Sequence, residues 1–174
     1  MRTLTEAKPG LPGNWYYDPD HYDREIAAIW QRDWICVGRA ETLKRAGDYF
    51  VADIGTQSVV VTRSDEDTLV AFHNTCRHRG SVLCRNDAGH FRNGRVICPY
   101  HTWTYSLQGE LVATPGRFET EDFRFSDYSL YAVHVQLWRG FVFINLADNP
   151  AEVFPGSPGQ DTELLRNWPL EHMR

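Results

Sequence analysis

The sequence predicts a mainly β protein: an antiparallel sandwich or barrel, carrying two ligand-bearing loops and flanked by one N-terminal helix. Three observations lead there. Short β-branched and aromatic runs recur between turn signals from residue 34 to residue 146. Helical periodicity precedes them, over residues 19–32. Two short stretches, Cys76-Arg77-His78 and Cys98-Pro99-Tyr100-His101, each pair one thiol with one imidazole.

The helix starts at Asp18-Pro19, with Asp as N-cap and Pro at the first helical position. Tyr22, Ile26, Ile29 and Trp30 then recur at helical spacing, so one face is expected to pack on the body of the domain. Trp15-Tyr16-Tyr17 precedes it as an aromatic anchor, after an extended arm containing Pro9, Gly10, Pro12 and Gly13. The predicted strands are 34–38, 48–54, 58–62 and 68–72, then two short ones between Gly89 and Ile97. A hairpin turn is expected at residues 107–110, and a charged, Phe-bearing loop over 114–127. Strands at 128–138 and 141–146 meet at Arg139-Gly140, the second being apolar enough to lie inside a sheet. Gly47 and Gly55, with the clusters 86–89 and 92–94, are expected in turns.

At 174 residues the chain can bury a full core without staples. The expected division is an N-terminal arm and helix over 1–40, a β domain over 41–147, and a linker over 148–174. That last segment is rich in Pro and Gly, with a short helix expected at 161–168. It reads as a chain cut where a further domain would follow. The net charge of −5 argues against nucleic acid as the main partner. No apolar run approaches the roughly 20 residues that span a bilayer, and residues 1–14 lack a signal-type stretch, so the expected compartment is the cytoplasm.

Four cysteines in a chain without an export signal point to metal binding rather than disulfides. Nineteen residues separate His78 from Cys98. Structural zinc sites usually pair Cys with Cys and His with His, whereas each pair here is mixed. A mixed set of two Cys and two His suits a [2Fe–2S] centre whose irons take different ligands. A Cys2His2 zinc module and a chance grouping of four loop residues stay open at this point. Cys36, in an apolar run, and Cys84 are assigned to packing; His73, His90 and His134 are assigned structural roles. Arg77 and Arg79 flank His78 and read equally well as steering charges or as solvated surface.

Cys76-Arg77-His78-Arg79-Gly80 followed by Cys98-Pro99-Tyr100-His101-Thr102-Trp103 resembles the N-terminal domain of the large (alpha) subunit of Rieske non-haem iron oxygenases. That group contains ring-hydroxylating dioxygenases and the betaine- or carnitine-type demethylating monooxygenases. The resemblance covers about residues 10–147, including Gly47-Asp48-Tyr49, Phe72-His73-Asn74 and Trp138-Arg139-Gly140-Phe141.

It implies a Rieske-type β-sandwich or barrel. Cys76 and Cys98 would bind one iron of a [2Fe–2S] cluster, and His78 and His101 the other. Arg79, Trp103 and Tyr105 would surround them, Tyr105 standing where a hydroxyl donor to a ligand sulfur can occur. Ser81 and Tyr100 stand where respiratory Rieske proteins carry disulfide cysteines, so a lower potential within the Rieske range is implied. Thr102 replaces the Gly usual in ring-hydroxylating members and leans toward the demethylase-like branch.

The implied function is electron relay in an oxidoreductase. Electrons would come from a reductase or ferredoxin and go to a mononuclear Fe(II), in a homotrimer where a cluster His faces a neighbouring carboxylate. That iron needs two His and one carboxylate. After His134 the only His is His172, so the oxygen-activating domain is expected to be missing and this chain alone inactive as an oxygenase. A free-standing Rieske ferredoxin is the alternative reading, and a structural zinc module the second.

Overall fold

The computed structural model describes residues 9–116, 120, 122–151, 168 and 170. The linker residues 152–167 and most of the helix expected at 161–168 lie outside these.

Among the described residues, ten strands form two antiparallel sheets. In chain order they are β1 (Ile35–Arg39), β2 (Asp48–Ile54), β3 (Gln57–Arg63), β4 (Leu69–His73), β5 (Ala88–His90), β6 (Arg95–Ile97), β7 (Thr104–Ser106), β8 (Leu111–Ala113), β9 (Ala132–Trp138) and β10 (Phe141–Asn145). The large sheet runs β1-β10-β9-β4-β3-β2-β5 and the small one β6-β7-β8. The large sheet curls until β1 approaches β2, where a Cβ at Gly38 would lie 3.2 Å from the Phe50 ring.

The β-branched run in β3 is continuous for a physical reason. Val60 faces one buried cluster with Phe72, Val96, Tyr105 and Leu111. Val59 and Val61 face a second, with Ala71, Val133, Val142 and Ile144. A strand between two cores has no wet face, so the usual apolar–polar alternation is lost. The first of these cores lies beneath the ligand loops.

Turn chemistry fixes the hairpins. Arg139 (φ 46°) and Gly140 (φ 82°) form the two-residue turn between β9 and β10, both left-handed as a type I′ turn requires. The turn cluster expected at 86–89 differs: Ala88 and Gly89 are in β5, paired with β2. Gly89 serves close approach instead, since a Cβ there would stand 2.8 Å from the Tyr49 hydroxyl.

The helical segment is α1 (Pro19–Glu25), with Asp20 N–H donating to the Asp18 carboxylate at 3.0 Å. It continues as a π-helical turn over Ile26–Trp30. The expectation of a buried apolar face fails: neither part buries a residue. Tyr16 and Tyr17 of the expected anchor are 75% and 80% exposed. The segment touches the body through Ile26, which packs on Gly55, and through the Arg32 carbonyl, which accepts from Asn145 Nδ2 at 2.8 Å. These few attachments leave Tyr22, Ile29 and Trp30 facing outward. Among the described residues no helix is long and apolar enough to cross a membrane.

Candidate metal centre

Two six-residue loops share one backbone plan. The first, 76–81, is flanked by the antiparallel bridge Thr75–Val82, and the second, 98–103, by the pair Ile97–Thr104. Cys76 N–H donates to the Ser81 carbonyl and Cys98 N–H to the Trp103 carbonyl, both at 2.8 Å. Gly80 N–H returns to the Cys76 carbonyl and Thr102 N–H to the Cys98 carbonyl, both at 3.0 Å. The returning residue is left-handed in each loop: Gly80 at φ 67° and Thr102 at φ 57°. The plan holds the two cysteines at equivalent positions. Asn74, buried at the mouth of the first loop, staples its far side: its Oδ1 accepts from Leu83 and Cys84 N–H, and its Nδ2 donates to the Cys84 carbonyl.

The loops bring the four predicted donors together as two pairs. The imidazoles meet with Nδ1 atoms 3.1 Å apart. The thiols of Cys76 and Cys98 are both buried and close enough to interact. Burial pushes the Cys76 thiol up, so a thiolate there requires a compensating cation. Burial, then His101 and Arg79, holds the His78 imidazole below its ordinary value, which keeps it neutral and able to ligate. Among the described residues no three His, Cys, Asp or Glu side chains converge on a single point. Two thiols and two imidazoles are the donor set of a Rieske-type two-iron cluster.

Aromatic rings surround the imidazoles. Trp103 stacks on His78 with centroids 4.7 Å apart, and exposed Tyr100 stacks on His101 at 3.7 Å. An open cleft of about 500 Å³ runs beside both rings, lined also by Thr114, Pro115 and Phe123. Tyr105 lies on the central strand of the small sheet, fully buried. Its hydroxyl stands 3.2 Å from Cys76 Sγ and accepts from Arg77 N–H at 3.2 Å. Burial, then Cys76, raises its phenol, so the proton stays on oxygen and is available to sulfur.

The model of the Rieske [2Fe-2S] domain matches residues 33–124. The chain belongs to the Rieske [2Fe-2S] domain family. The glycine betaine monooxygenase oxygenase subunit of Chromohalobacter salexigens is 38% identical over 88% of this chain and 34% of its own length. The carnitine monooxygenase oxygenase subunit of Escherichia coli K12 is 32% identical, over 93% and 43%. The alpha subunit of benzene 1,2-dioxygenase of Pseudomonas putida is 33% identical, over 88% and 34%. The apo structure of the quaternary ammonium Rieske monooxygenase CntA superposes with a TM-score of 0.81 at 30% identity, over 90% of this chain and 45% of that one. The chain thus spans between a third and a half of these relatives. A Rieske domain carries a [2Fe–2S] cluster on two Cys and two His, and the two donor pairs of this fold have the chemistry for it.

Around that centre one packing expectation fails and one holds. Cys36 is exposed, because β1 is the edge strand of the Rieske sheet. Cys84 is buried packing, its thiol pushed up to about 12. Arg77 is half-buried and partnered: its guanidinium donates to the Ser129 carbonyl at 2.8 Å and the Asp127 carbonyl at 3.2 Å, and lies 3.9 Å over the Tyr131 ring. Arg79 is the exposed neighbour of His78. His90 and His134, assigned structural roles, meet the Asp48 carboxylate at 2.8 Å and the Asp148 carbonyl at 3.1 Å. The charged, Phe-bearing loop expected over 114–127 supplies Phe123, and Tyr128, expected to open a strand, ends a 3-10 turn before β9 instead; both rings are edge-on to Trp103. The closely spaced aromatic residues Phe123, Phe125 and Tyr128 were the available signal.

Proposed function

We propose that this Rieske domain is the electron-relay module of a Rieske non-haem iron oxygenase. Cys76 and Cys98 hold one iron, and His78 and His101 the other. What supports this most is the pairing of the loops: one backbone plan, used twice, presents two buried thiols and two converging imidazole nitrogens.

When bound, the cluster supplies a one-electron couple above the potential of all-thiolate ferredoxins. The chain's own residues hold and shield that site. Tyr105 donates toward the Cys76 sulfur, Trp103 covers the His78 face, and Val96, Leu111 and Leu83 keep water from the thiols. Tyr100 and His101 stand at the open side, next to the cleft.

The division proposed for the chain is an arm and helix over 1–40, the Rieske domain over 41–147, and a linker over 148–174. Within the arm, β1 completes the sheet by pairing with β10. The oxygenase chemistry belongs to the part of the relatives that this chain does not span. For the whole protein we propose hydroxylation or oxidative demethylation of a small organic substrate with dioxygen. Electrons come from a reductase or ferredoxin, and the assembly is a homotrimer. Quaternary ammonium compounds are the first substrates to try, because glycine betaine and carnitine are named for two relatives.

The test is spectroscopic. The full chain, purified without oxygen and reduced with dithionite, gives the optical and paramagnetic resonance signals of a Rieske cluster, and Cys76→Ser abolishes them. A colourless, silent protein containing zinc overturns the proposal.

A further inference from the structure

We infer that Arg77 is a positioning residue for the cluster sulfur, acting through Tyr105 rather than through its own charge. The inference rests on the ligand assignment just proposed.

The Arg77 side chain leaves the first loop and crosses to the segment before β9. There it meets the Asp127 and Ser129 carbonyls and the Tyr131 ring. A planar guanidinium can fork onto two acceptors while stacking, and an ammonium cannot. The backbone N–H of the same residue donates to Tyr105 Oη. The single proton of that hydroxyl is then free to donate to a Cys76 thiolate, whose Sγ stands 3.2 Å away. The side-chain clamp therefore fixes the backbone at residue 77, the backbone N–H holds the Tyr105 oxygen, and the hydroxyl proton meets the sulfur. Accepting from Arg77 also polarises the hydroxyl and strengthens its donation.

The far end of the clamp is anchored independently. Leu130 N–H donates to the Gly109 carbonyl at 2.7 Å, tying the segment to the β7–β8 turn beside Tyr105. Tyr128 packs edge-on against Trp103, which itself stacks on His78. One segment thus braces both ligand loops. A hydrogen bond to sulfur stabilises the reduced, more negative state, so loosening it lowers the potential.

Removing a nearby positive charge also lowers a potential, so the test separates the two causes. Midpoint potentials are measured on the full chain, loaded with iron and sulfide, for Arg77→Met, Tyr105→Phe and the double variant. The expected result is that each single variant lies below wild type and the double lies no lower than Tyr105→Phe. An Arg77→Met shift that persists in the Tyr105→Phe background, or no shift at all, overturns the inference. Arg77→Lys keeps the charge and loses the fork, and it is expected to fall as well; a wild-type potential there also overturns it.

A second measurement does not need the cluster. In the iron-free chain the amide of residue 77 is expected to exchange at least tenfold faster in Arg77→Met, with the amides of Cys98 and Thr102 unchanged. Unchanged protection at residue 77 refutes the clamp, whereas loss of the Rieske signal in wild type would refute only the ligand assignment.

Discussion

Gly80 and Thr102 occupy the same place in two loops of matching hydrogen-bond pattern, and both have left-handed backbone. For Gly that conformation is free; for a β-branched residue it costs about 1–2 kcal/mol. The second loop therefore carries strain that the first does not. Replacing Thr102 with Gly is expected to stabilise the chain by about 1 kcal/mol. Gly80→Ala is expected to destabilise it by a similar amount, through φ alone, since no atom lies within 4 Å of the added Cβ. Denaturant melts of the three proteins check both signs; a loss of stability in Thr102→Gly would refute the strain.

Trp103 and Tyr100 each stack on a candidate ligand, yet they differ in burial. Trp103 is 9% exposed and central to the aromatic group with Phe123 and Tyr128, while Tyr100 is 59% exposed. Trp103→Ala is expected to cost about 3–5 kcal/mol, as deletion of a buried Trp does. Tyr100→Ala is expected to cost about 1 kcal/mol or less, the worth of one exposed stacking contact. Thermal unfolding of the two variants gives the comparison, and equal losses would contradict it.

These contrasts show what could be read in the sequence. Strand positions followed from local runs, so 48–54 and the neighbouring strands were legible to within a residue or two. The candidate donor pairs were legible because their chemistry is local: Cys and His two or three residues apart. Burial was less so. Tyr22, Ile29 and Trp30 have the spacing of a buried face, but what meets that face depends on how the segment leaves the sheet, which spacing does not encode. Cys36 sits in an apolar run that becomes an edge strand only through its pairing with β10, more than a hundred residues later. The Arg77 clamp joins residues about fifty apart and ends on backbone carbonyls, which every residue possesses. No residue type marks such a contact in advance.

Asp48 and His90 lock the start of β2 to β5, and that lock has a pH dependence. The Asp48 carboxylate accepts from Lys44 and Arg45 N–H at 3.0 and 3.1 Å and meets His90 Nδ1 at 2.8 Å. Burial alone would raise its carboxyl. The bonds from His90, Arg45 and Lys44 outweigh this and hold it below its ordinary value of 3.8. A carboxyl lowered by folding contributes stability that is complete above the unfolded value. That stability is lost as pH falls through the folded one. Urea midpoints measured from pH 6 to pH 3 are therefore expected to drop below about pH 4, and Asp48→Asn to drop less steeply. An equal slope in the two proteins would place the acid sensitivity elsewhere.

His78→Cys tests the pairing of the donors most directly. The two imidazoles meet through Nδ1 at 3.1 Å, and the thiols of Cys76 and Cys98 are both buried. If His78 ligates iron, the exchange replaces a neutral donor with a thiolate and adds one negative charge to the cluster. Reduction adds a further negative charge, so it becomes harder. The potential is expected to fall from the Rieske range toward the roughly −400 mV of all-thiolate ferredoxins. Trp103 is expected to keep the fold, because its contacts with Phe123 and Tyr128 do not involve His78. The measurement is a redox titration followed by paramagnetic resonance, with unfolding recorded on the same sample. A folded, cluster-bearing variant with unchanged potential would remove His78 from the ligand set.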